Sequence, residues 1–243
     1  MKQLKIALLG YGKMGQAVEL EALQRGHQIV AKVDLKASEE DWKALKTADV
    51  VAEFTNPEQV LSNIQTILDM GIPLVTGTTG WQKELEAVER RVHEKGGSLV
   101  YSSNFSPGVN ILFKVNEMLA KIMDRQVGYD VYVEEAHHRH KKDAPSGTAL
   151  TLLEGLIGNL NEKNTWVAGD LASRPPHEDE ISVGVVRAGG IVGKHSVAFR
   201  SDIDEIRISH EAFNRRGFAL GAVLAAEWIQ GKQGMFNFAS FFS

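Results

Sequence analysis

The segment 135–148 concentrates side chains that could transfer protons or bind anions. It contains three histidines and two lysines, which are His137, His138, His140, Lys141 and Lys142. Histidine has a reference pKa of about 6.5, so an imidazolium beside a lysine could give up a proton at neutral pH. The segment therefore offers a general acid to a reacting group.

The residues that follow this cluster predict a helix start that binds an anion. Ser146 is a favourable N-cap residue, and an apolar run with helical spacing continues from Ala149 to residue 157. The backbone N–H groups of Gly147 and Thr148 then lie at the positive end of the helix. With the cationic side chains before it, this helix start predicts a site for a small acidic molecule.

Composition limits the other interpretations of this cluster. A basic run is also typical of a solvated surface or of a weak nucleic-acid contact. The net charge of −4 argues against a duplex-binding surface, so we expect no nucleic-acid partner. The absence of cysteine, and of a helical His-Glu-x-x-His or Glu-x-x-His pattern, predicts no metal site.

A second candidate site lies at the start of the chain. The apolar run at 4–9 leads directly into a glycine-rich turn that opens a helical pattern, and the turn comprises Gly10, Tyr11, Gly12, Lys13, Met14 and Gly15. In a Gly-x-Gly-x-x-Gly turn, the glycines permit a tight bend, close approach of a pyrophosphate and close helix–strand packing. The turn predicts a dinucleotide site, and a glycine turn without a nucleotide remains an alternative.

An acidic residue at the expected position supports a dinucleotide. Asp34 follows the second strand-like run at 28–33 and could bind the hydroxyls of an adenosine ribose. Asp34 would repel a 2′-phosphate, whereas Lys36 could pair with one. The sequence therefore predicts NADH or NADPH as the cofactor without deciding between them.

Strands and helices alternate up to residue 105 and predict a parallel sheet. Further strands are expected at 49–54, 73–76 and 98–101, with helices at 57–70 and 85–93. Such sheets bind ligands beyond the carboxyl ends of their strands. We therefore expect the segments after these strands to border the cofactor through Gly77, Thr78, Thr79, Ser102, Ser103, Asn104 and Phe105.

The pattern changes after residue 105. A helical stripe predicts core packing for Val109, Leu112, Val115, Met118, Leu119 and Ile122. Strands are then expected at 129–135, 181–187, 195–199 and 205–210, with a long loop at 163–180. Glycines at 189 and 190 predict a hairpin turn, beside which Arg187 is a candidate anion contact. A last helical pattern starts at residue 217.

These patterns predict an α/β protein with two domains. We expect residues 1–105 and 217–243 to form a Rossmann-type dinucleotide-binding domain, and 106–216 to form an α+β domain with an open mixed sheet. The chain has no cysteine, its opening residues lack a signal-peptide pattern, and its longest apolar stretch is too short for a bilayer. The sequence therefore predicts a soluble cytoplasmic protein without a membrane partner.

Several motifs together resemble the 4-hydroxy-tetrahydrodipicolinate reductase family, long called dihydrodipicolinate reductases. They are the glycine turn, the 77–80 and 104–106 segments, the Arg187-Ala188-Gly189 segment and, above all, the run from Glu135 to Ala149. The match spans nearly the whole chain, and the 137–148 run is highly specific to that family. A dehydrogenase of another small acidic substrate and a non-catalytic nucleotide sensor remain alternatives.

The resemblance implies an enzyme that reduces a cyclic dicarboxylate with NADH or NADPH and with loss of water, on the diaminopimelate route to lysine. It implies a homotetramer formed through the second domain. By resemblance, His137 is the proton donor and Lys141 secures or protonates the substrate. The same resemblance assigns carboxylate binding to His138, Ser146, Gly147 and Thr148.

Overall fold

A computed structural model of the protein describes residues 2–34, 38–169 and 174–242. The chain divides into two compact units, Met1–Pro107 with Arg216–Ser243, and Gly108–Arg215. Lys36, which the sequence links to cofactor preference, lies outside the described residues.

The secondary structure is given in chain order. The strands are β1 (Lys5–Leu9), β2 (Gln28–Val33), β3 (Val50–Glu53), β4 (Leu74–Thr76), β5 (Ser98–Tyr101), β6 (Asp130–His137), β7 (Thr165–Ala168), β8 (Glu180–Arg187), β9 (Gly193–Arg200), β10 (Glu205–Ala212) and β11 (Gly234–Asn237). The helices are α1 (Lys13–Gln24), α2 (Glu39–Leu45), α3 (Val60–Asp69), α4 (Leu85–Lys95), α5 (Pro107–Met123), α6 (Gly147–Ile157) and α7 (Arg216–Trp228).

The first unit contains a parallel sheet in the order β11-β5-β4-β3-β1-β2. The order of connection reverses between β1 and β3, and such a reversal opens a ligand crevice at the carboxyl ends of the strands. Alternate β1 residues face opposite sides of the sheet. Ile6 and Leu8 pack in one apolar cluster, while Ala7 and Leu9 pack in the other. The predicted Rossmann-type fold is confirmed.

The C-terminal residues complete this first unit. β11 extends the sheet as a parallel edge strand beside β5, with Met235 opposite Leu99. α7 buries Ala222 and Val223 in the same apolar cluster as Ile6. The unit is therefore built from both ends of the chain.

The second unit contains a mixed sheet in the order β10-β9-β6-β8-β7. β6, β7 and β8 are parallel, whereas β9 is antiparallel to β6 and β10. One apolar cluster joins the sheet to α5 and α6 and includes Val133, Val197, Leu112 and Leu152. The expected open mixed sheet is confirmed.

Three expectations within the second unit are wrong. The predicted loop at 163–180 contains β7, which pairs with β8. Gly189 and Gly190 do not form a hairpin, because β6 lies between β8 and β9 and bonds to both. The connection therefore crosses the end of β6.

The third expectation concerns the apolar stripe of α5. Val109 and Leu112 are buried, but Val115, Met118 and Ile122 are exposed by 40%, 64% and 59%. The stripe is wider than the face that packs on the sheet, so helical spacing alone overestimates the core. Among the described residues, we find no helix with the length and apolarity required to cross a membrane.

Candidate active site

The histidine-rich segment begins on a strand and ends on a helix. β6 ends at His137, and the chain reaches the N-terminus of α6 ten residues later, at Gly147. Alternate residues of a strand face the same side, so Glu135 and His137 share one face. Both are buried, at 2% and 8% exposure. The strand therefore places a carboxylate and an imidazole together in the interior.

Glu135 is the centre of a polar cluster. Both of its carboxylate oxygens accept hydrogen bonds from the Ser146 N–H, at 3.2 and 3.1 Å. Nη2 of Arg187 donates to Oε1 at 2.7 Å. Oε2 lies 3.5 Å from Nδ1 of His137 and 3.7 Å from Nε2 of His195. One carboxylate thus links β6, β8, β9 and the start of α6.

The surroundings keep this carboxylate ionised. Burial alone would raise the pKa of Glu135, but contacts from His195, Ser146 and Arg187 outweigh burial and hold it far below its usual range. A buried carboxylate beside a guanidinium and a backbone N–H carries its charge at neutral pH. Arg187, predicted as an anion contact, therefore already pairs with an anion of the chain.

The surroundings of His137 favour the neutral form of its ring. Burial lowers its pKa to about 4, and the charges of His195, Lys141 and Arg187 also lower it, while Glu135 opposes them. The sequence suggests that an imidazolium here could give up a proton at neutral pH, and the structure shows that burial and the neighbouring cations disfavour that charged form. A negative ligand beside the ring would shift this balance towards the protonated form.

Lys141 lies in the connection between β6 and α6. Its Nζ donates to both carboxylate oxygens of Asp143 at 2.8 Å, and the Lys141 side chain is 22% exposed. The Asp143 backbone carbonyl accepts from Nη2 of Arg187 at 2.7 Å. Arg187 therefore fixes the backbone of Asp143, and the carboxylate of Asp143 in turn fixes the Lys141 ammonium. An incoming carboxylate has to share or replace the Asp143 contact.

Ser146 caps α6 as the sequence predicts. Its Oγ accepts from the Ala149 N–H at 3.2 Å and lies 3.0 Å from Nε2 of His195. Gly147 is exposed and Thr148 is half-buried at the first positions of the helix. These positions present a helix N-terminus beside the buried cluster, and such an end attracts anions.

The other basic residues of the segment differ in burial. His138 is half-buried, and its ring lies 6.5 Å from that of His140. Arg139, His140 and Lys142 are exposed. The segment therefore separates into His137, His138 and Lys141 near the interior and three cations at the surface.

A metal centre is a less suitable interpretation of this cluster. Glu135, His137 and His195 offer donor atoms within 4.8 Å of one another. The same carboxylate is already paired with Arg187, and a cation there would lie next to the guanidinium. We therefore interpret the group as an ion-paired hydrogen-bond cluster.

In the glycine-rich turn of the first unit, the space around each Cβ position differs between the three glycines. Gly10 has a φ of 92°, and a Cβ there would lie 2.8 Å from the Thr55 nitrogen. A Cβ on Gly15 would overlap the Gly10 carbonyl oxygen. Gly12 has nothing within 4 Å of its Cβ position. Packing within the protein thus explains Gly10 and Gly15, whereas Gly12 faces open space.

The same turn begins α1 without a side-chain cap. Gly12 is the N-cap residue, and the described residues provide no side-chain cap hydrogen bond. Tyr11 and Met14 are half-buried beside it, while Lys13 is exposed. An uncapped helix N-terminus above an open glycine fits a bound phosphate.

A crevice lies at the carboxyl ends of β3 and β4 in this unit. Met14, Gly77, Thr78 and Thr79 contribute to its lining, together with Phe54, Thr55 and Pro57. Oγ1 of Thr78 is buried and has no hydrogen-bond partner among the described residues. The predicted 77–79 segment therefore does border a cavity.

The 102–105 segment is less open than the sequence indicates. Ser102 is buried, and its Oγ donates to the Asn104 carbonyl at 2.8 Å. Phe105 is 3% exposed and packs against Phe54 and Phe238. Ser103 is exposed and Asn104 is half-buried. Phe105 thus belongs to the core, and Asn104 and Ser103 present the accessible groups. Asp34 is exposed just after β2.

Sequence reasoning missed two central residues, Glu135 and His195. Both are buried members of the cluster. A signal was available in the strand patterns, because Glu135 and His137 continue the inward-facing series of Val131 and Val133. Charged residues at inward positions are uncommon and mark sites.

Family models match both parts of the chain. The model described as the N-terminus of dihydrodipicolinate reductase matches residues 4–105. The model described as the C-terminus of dihydrodipicolinate reductase matches residues 108–242. Together they cover nearly all of the chain.

Individual relatives agree with these models. A 4-hydroxy-tetrahydrodipicolinate reductase of Christiangramia forsetii is 39% identical over 234 residues, which cover 96% of this chain and 95% of the relative. One from Neisseria gonorrhoeae is 37% identical, covering 90% and 81%. The structure of a dipicolinate-bound dihydrodipicolinate reductase from Paenisporosarcina sp. TG-14 has the same fold, with a TM-score of 0.82, 22% identity, and coverage of 97% and 98%. The chain therefore belongs to the dihydrodipicolinate reductase family.

Proposed function

We propose that this protein reduces 4-hydroxy-tetrahydrodipicolinate to tetrahydrodipicolinate with loss of water, using NADH or NADPH, in lysine biosynthesis through diaminopimelate. Its relatives carry the name of this reductase. The observation that carries the proposal is the second unit's combination of His137, Lys141 and the α6 N-terminus around one buried carboxylate. This combination suits a ligand with negative charge and a demand for a proton.

In this proposal the residues of the second unit bind the substrate and supply the proton. The substrate ring carries two carboxylates and a C=N bond, and the bound nicotinamide cofactor supplies the hydride. His137 donates a proton to the charge that develops, and Lys141 binds or protonates the substrate. His138, Ser146 and the N–H groups of Gly147 and Thr148 bind a carboxylate, which the helix N-terminus favours by about 0.3–2 kcal/mol.

The first unit binds the dinucleotide in this proposal. The glycine turn from Gly10 to Gly15 surrounds the pyrophosphate, and Asp34 meets the adenosine ribose. The nicotinamide is bordered by Gly77, Thr78, Thr79 and the 102–105 segment. Within that segment Phe105 is buried and supports the others by packing in the core. The open Gly12, the uncapped α1 and the unpartnered Thr78 hydroxyl support this placement.

Alanine substitutions in the glycine turn separate ligand contact from packing. Gly12→Ala is expected to keep the thermal midpoint of the wild type and to weaken dinucleotide binding at least about tenfold, because its methyl group meets only the ligand. Gly15→Ala is expected to lower the midpoint, because its methyl group overlaps the Gly10 carbonyl. Calorimetry measures both quantities. Wild-type affinity in Gly12→Ala would place the pyrophosphate elsewhere.

Both NADH and NADPH are expected to bind. Asp34 disfavours a 2′-phosphate and Lys36 favours it, so the two affinities should differ only moderately. Isothermal titration of each dinucleotide tests this balance. An NADPH affinity about a thousandfold weaker, equal to roughly 4 kcal/mol, would show that Lys36 does not compensate for Asp34.

The reaction itself is tested by a coupled assay. Pyruvate and aspartate semialdehyde are condensed in situ to the ring substrate, and oxidation of NADH or NADPH is followed. Turnover that depends on the condensation supports the proposal. Dinucleotide binding without turnover would indicate a nucleotide sensor. Turnover with free semialdehyde alone would indicate a different dehydrogenase.

The domain roles, location and assembly also remain proposals. We propose that 106–216 binds the substrate and forms a homotetramer, that 1–105 with 217–243 binds the cofactor, and that the enzyme acts in the cytoplasm. Light scattering measures the mass of the particle in solution. A monomeric mass would reject the tetramer.

A further inference from the structure

A row of buried and half-buried polar residues crosses one face of the mixed sheet in the second unit. Glu135 of β6 lies opposite His195 of β9, and His195 lies opposite His210 of β10. His137 of β6 lies opposite Arg187 of β8. Directly paired residues share a face, so these five side chains form one continuous group. The group extends beyond the residues assigned to substrate binding.

Glu135 holds this group together while having no access to solvent. Its side chain has 0% exposure, and it contacts Arg187, Ser146, His137 and His195. These partners come from four places in the unit, namely β6, β8, β9 and the start of α6. A side chain without solvent access and with all these contacts is placed to orient its neighbours.

The two proposed reactive groups are both connected to this carboxylate. His137 contacts it directly, with Nδ1 at 3.5 Å. Lys141 is connected through Asp143, whose carbonyl accepts from the same Arg187 nitrogen that pairs with Glu135. A substitution at Glu135 therefore affects His137 directly. It affects Lys141 only indirectly, through Arg187 and Asp143.

We propose that Glu135 is a positioning residue for the reduction: its buried carboxylate fixes the His137 ring and the Ser146 backbone, and favours the imidazolium form of His137 without touching the substrate. This inference rests on the proposed function. Nδ1 of His137 is buried and makes no hydrogen bond to any part of the chain that the structure describes. When the ring is protonated, the Nδ1 proton can face the carboxylate, and Nε2 carries the proton that is transferred.

The other charged groups near His137 act against protonation. Lys141 from the connecting segment, Arg187 from β8 and His195 from β9 all disfavour the imidazolium, whereas Glu135 favours it. His210 from β10 lies beyond His195, and burial and His195 lower its pKa. Removal of the Glu135 charge would leave the cations without opposition. Removal of Arg187 would have the opposite effect on His137.

The test compares Glu135→Gln with Glu134→Gln as the matched control. Glu134 is the next residue, has a 51% exposed side chain and pairs with Arg207. We expect Glu135→Gln to lower kcat at least about tenfold, with a smaller change in KM, and to move the upper pH limit of kcat about one unit lower. Glu135→Asp should restore part of kcat. Glu134→Gln should behave as the wild type.

A second measurement does not depend on turnover. NMR of histidine-labelled protein gives the pKa of His137, with and without pyridine-2,6-dicarboxylate as an unreactive ligand. Glu135→Gln should lower this pKa, and Arg187→Gln should raise it. A general loss of structure would not shift the pKa in opposite directions. If Glu135→Gln does not fold, the inference is tested by two other results. These are the direction of the His137 pKa shift in Arg187→Gln and the kcat and His137 pKa of Glu135→Asp.

Two results would overturn the inference. One is a folded Glu135→Gln protein with wild-type kcat, pH profile and His137 pKa. The other is a pKa shift of the same sign in Glu135→Gln and Arg187→Gln. If the wild type shows no turnover, the proposed function fails. The NMR titration of the free protein then still reports whether Glu135 controls His137.

Discussion

Replacement of His137 by alanine is expected to lower kcat by about 10²–10⁴-fold at neutral pH while changing KM far less, because a positioned general acid acts in the transition state. Steady-state kinetics with the ring substrate measure both constants. Lys141→Ala should damage kcat and KM together, because its charge serves the ground state and the transition state alike.

His140→Ala provides the matched control. His140 lies three positions later and is exposed, as are Arg139 and Lys142. Alanine variants of these residues should stay within about tenfold of the wild type. A normal kcat in His137→Ala combined with a lost kcat in His140→Ala would show that the roles within the cluster are assigned wrongly.

The pH dependence of the same reaction follows from the environment of His137. Burial first, and then the neighbouring cations, lower the pKa of its ring to about 4 in the free protein. A bound dicarboxylate opposes those cations and should raise this pKa, so binding takes up a proton. kcat/KM should therefore begin to fall at lower pH than kcat does. Calorimetry of dicarboxylate binding in buffers of different ionisation enthalpy measures the proton uptake.

Gly221→Ala is expected to give a large loss of stability. Gly221 lies within α7, and a Cβ there would overlap the Phe105 carbonyl oxygen and approach the Phe105 carbonyl carbon to 2.7 Å. Overpacking of an interior normally costs about 1–3 kcal/mol, and we expect the upper end because the obstacle is backbone. Urea denaturation measures the free energy of unfolding.

Gly217→Ala is the control in the same helix. The nearest described atom to its Cβ position is Oγ of Ser106, at 3.5 Å, which is ordinary van der Waals contact. This substitution should be neutral or should stabilise the protein by about 0.4–1 kcal/mol. Equal destabilisation by both substitutions would mean that helix packing against Phe105 is not the cause.

Local signals allowed most of the fold to be predicted from the sequence. The strand at 28–33 and the helix start at Ser146 depend on nearby residues, and the structure has both. α2 was not predicted, although Ser38 and Asp41 form a capping box before it. β7 and β11 are short, and their pairing partners are distant in sequence. Sheet order depends on those distant partners, which is why the hairpin at 189–190 was wrong.

The site was predictable only in part for a similar reason. His137, Lys141 and Ser146 lie in one run of sequence, so their chemistry is visible together. Arg187 and His195 meet Glu135 only when three strands are aligned. The pKa of His137 depends on that assembly, so its reference value could not show how strongly burial and the neighbouring cations disfavour the imidazolium.

The division of the first unit between both ends of the chain affects its synthesis. α7 and β11 follow the second unit in the chain, yet they belong to the same unit as β1, where α7 packs in its apolar cluster and β11 extends its sheet. Gly108–Arg215 is continuous and leaves the ribosome earlier. The sheet of the first unit therefore stays incomplete until α7 and β11 are synthesised, whereas the second unit can already fold. Nascent chains stalled before residue 216 should consequently resist protease in the later half and remain cleavable in the earlier one.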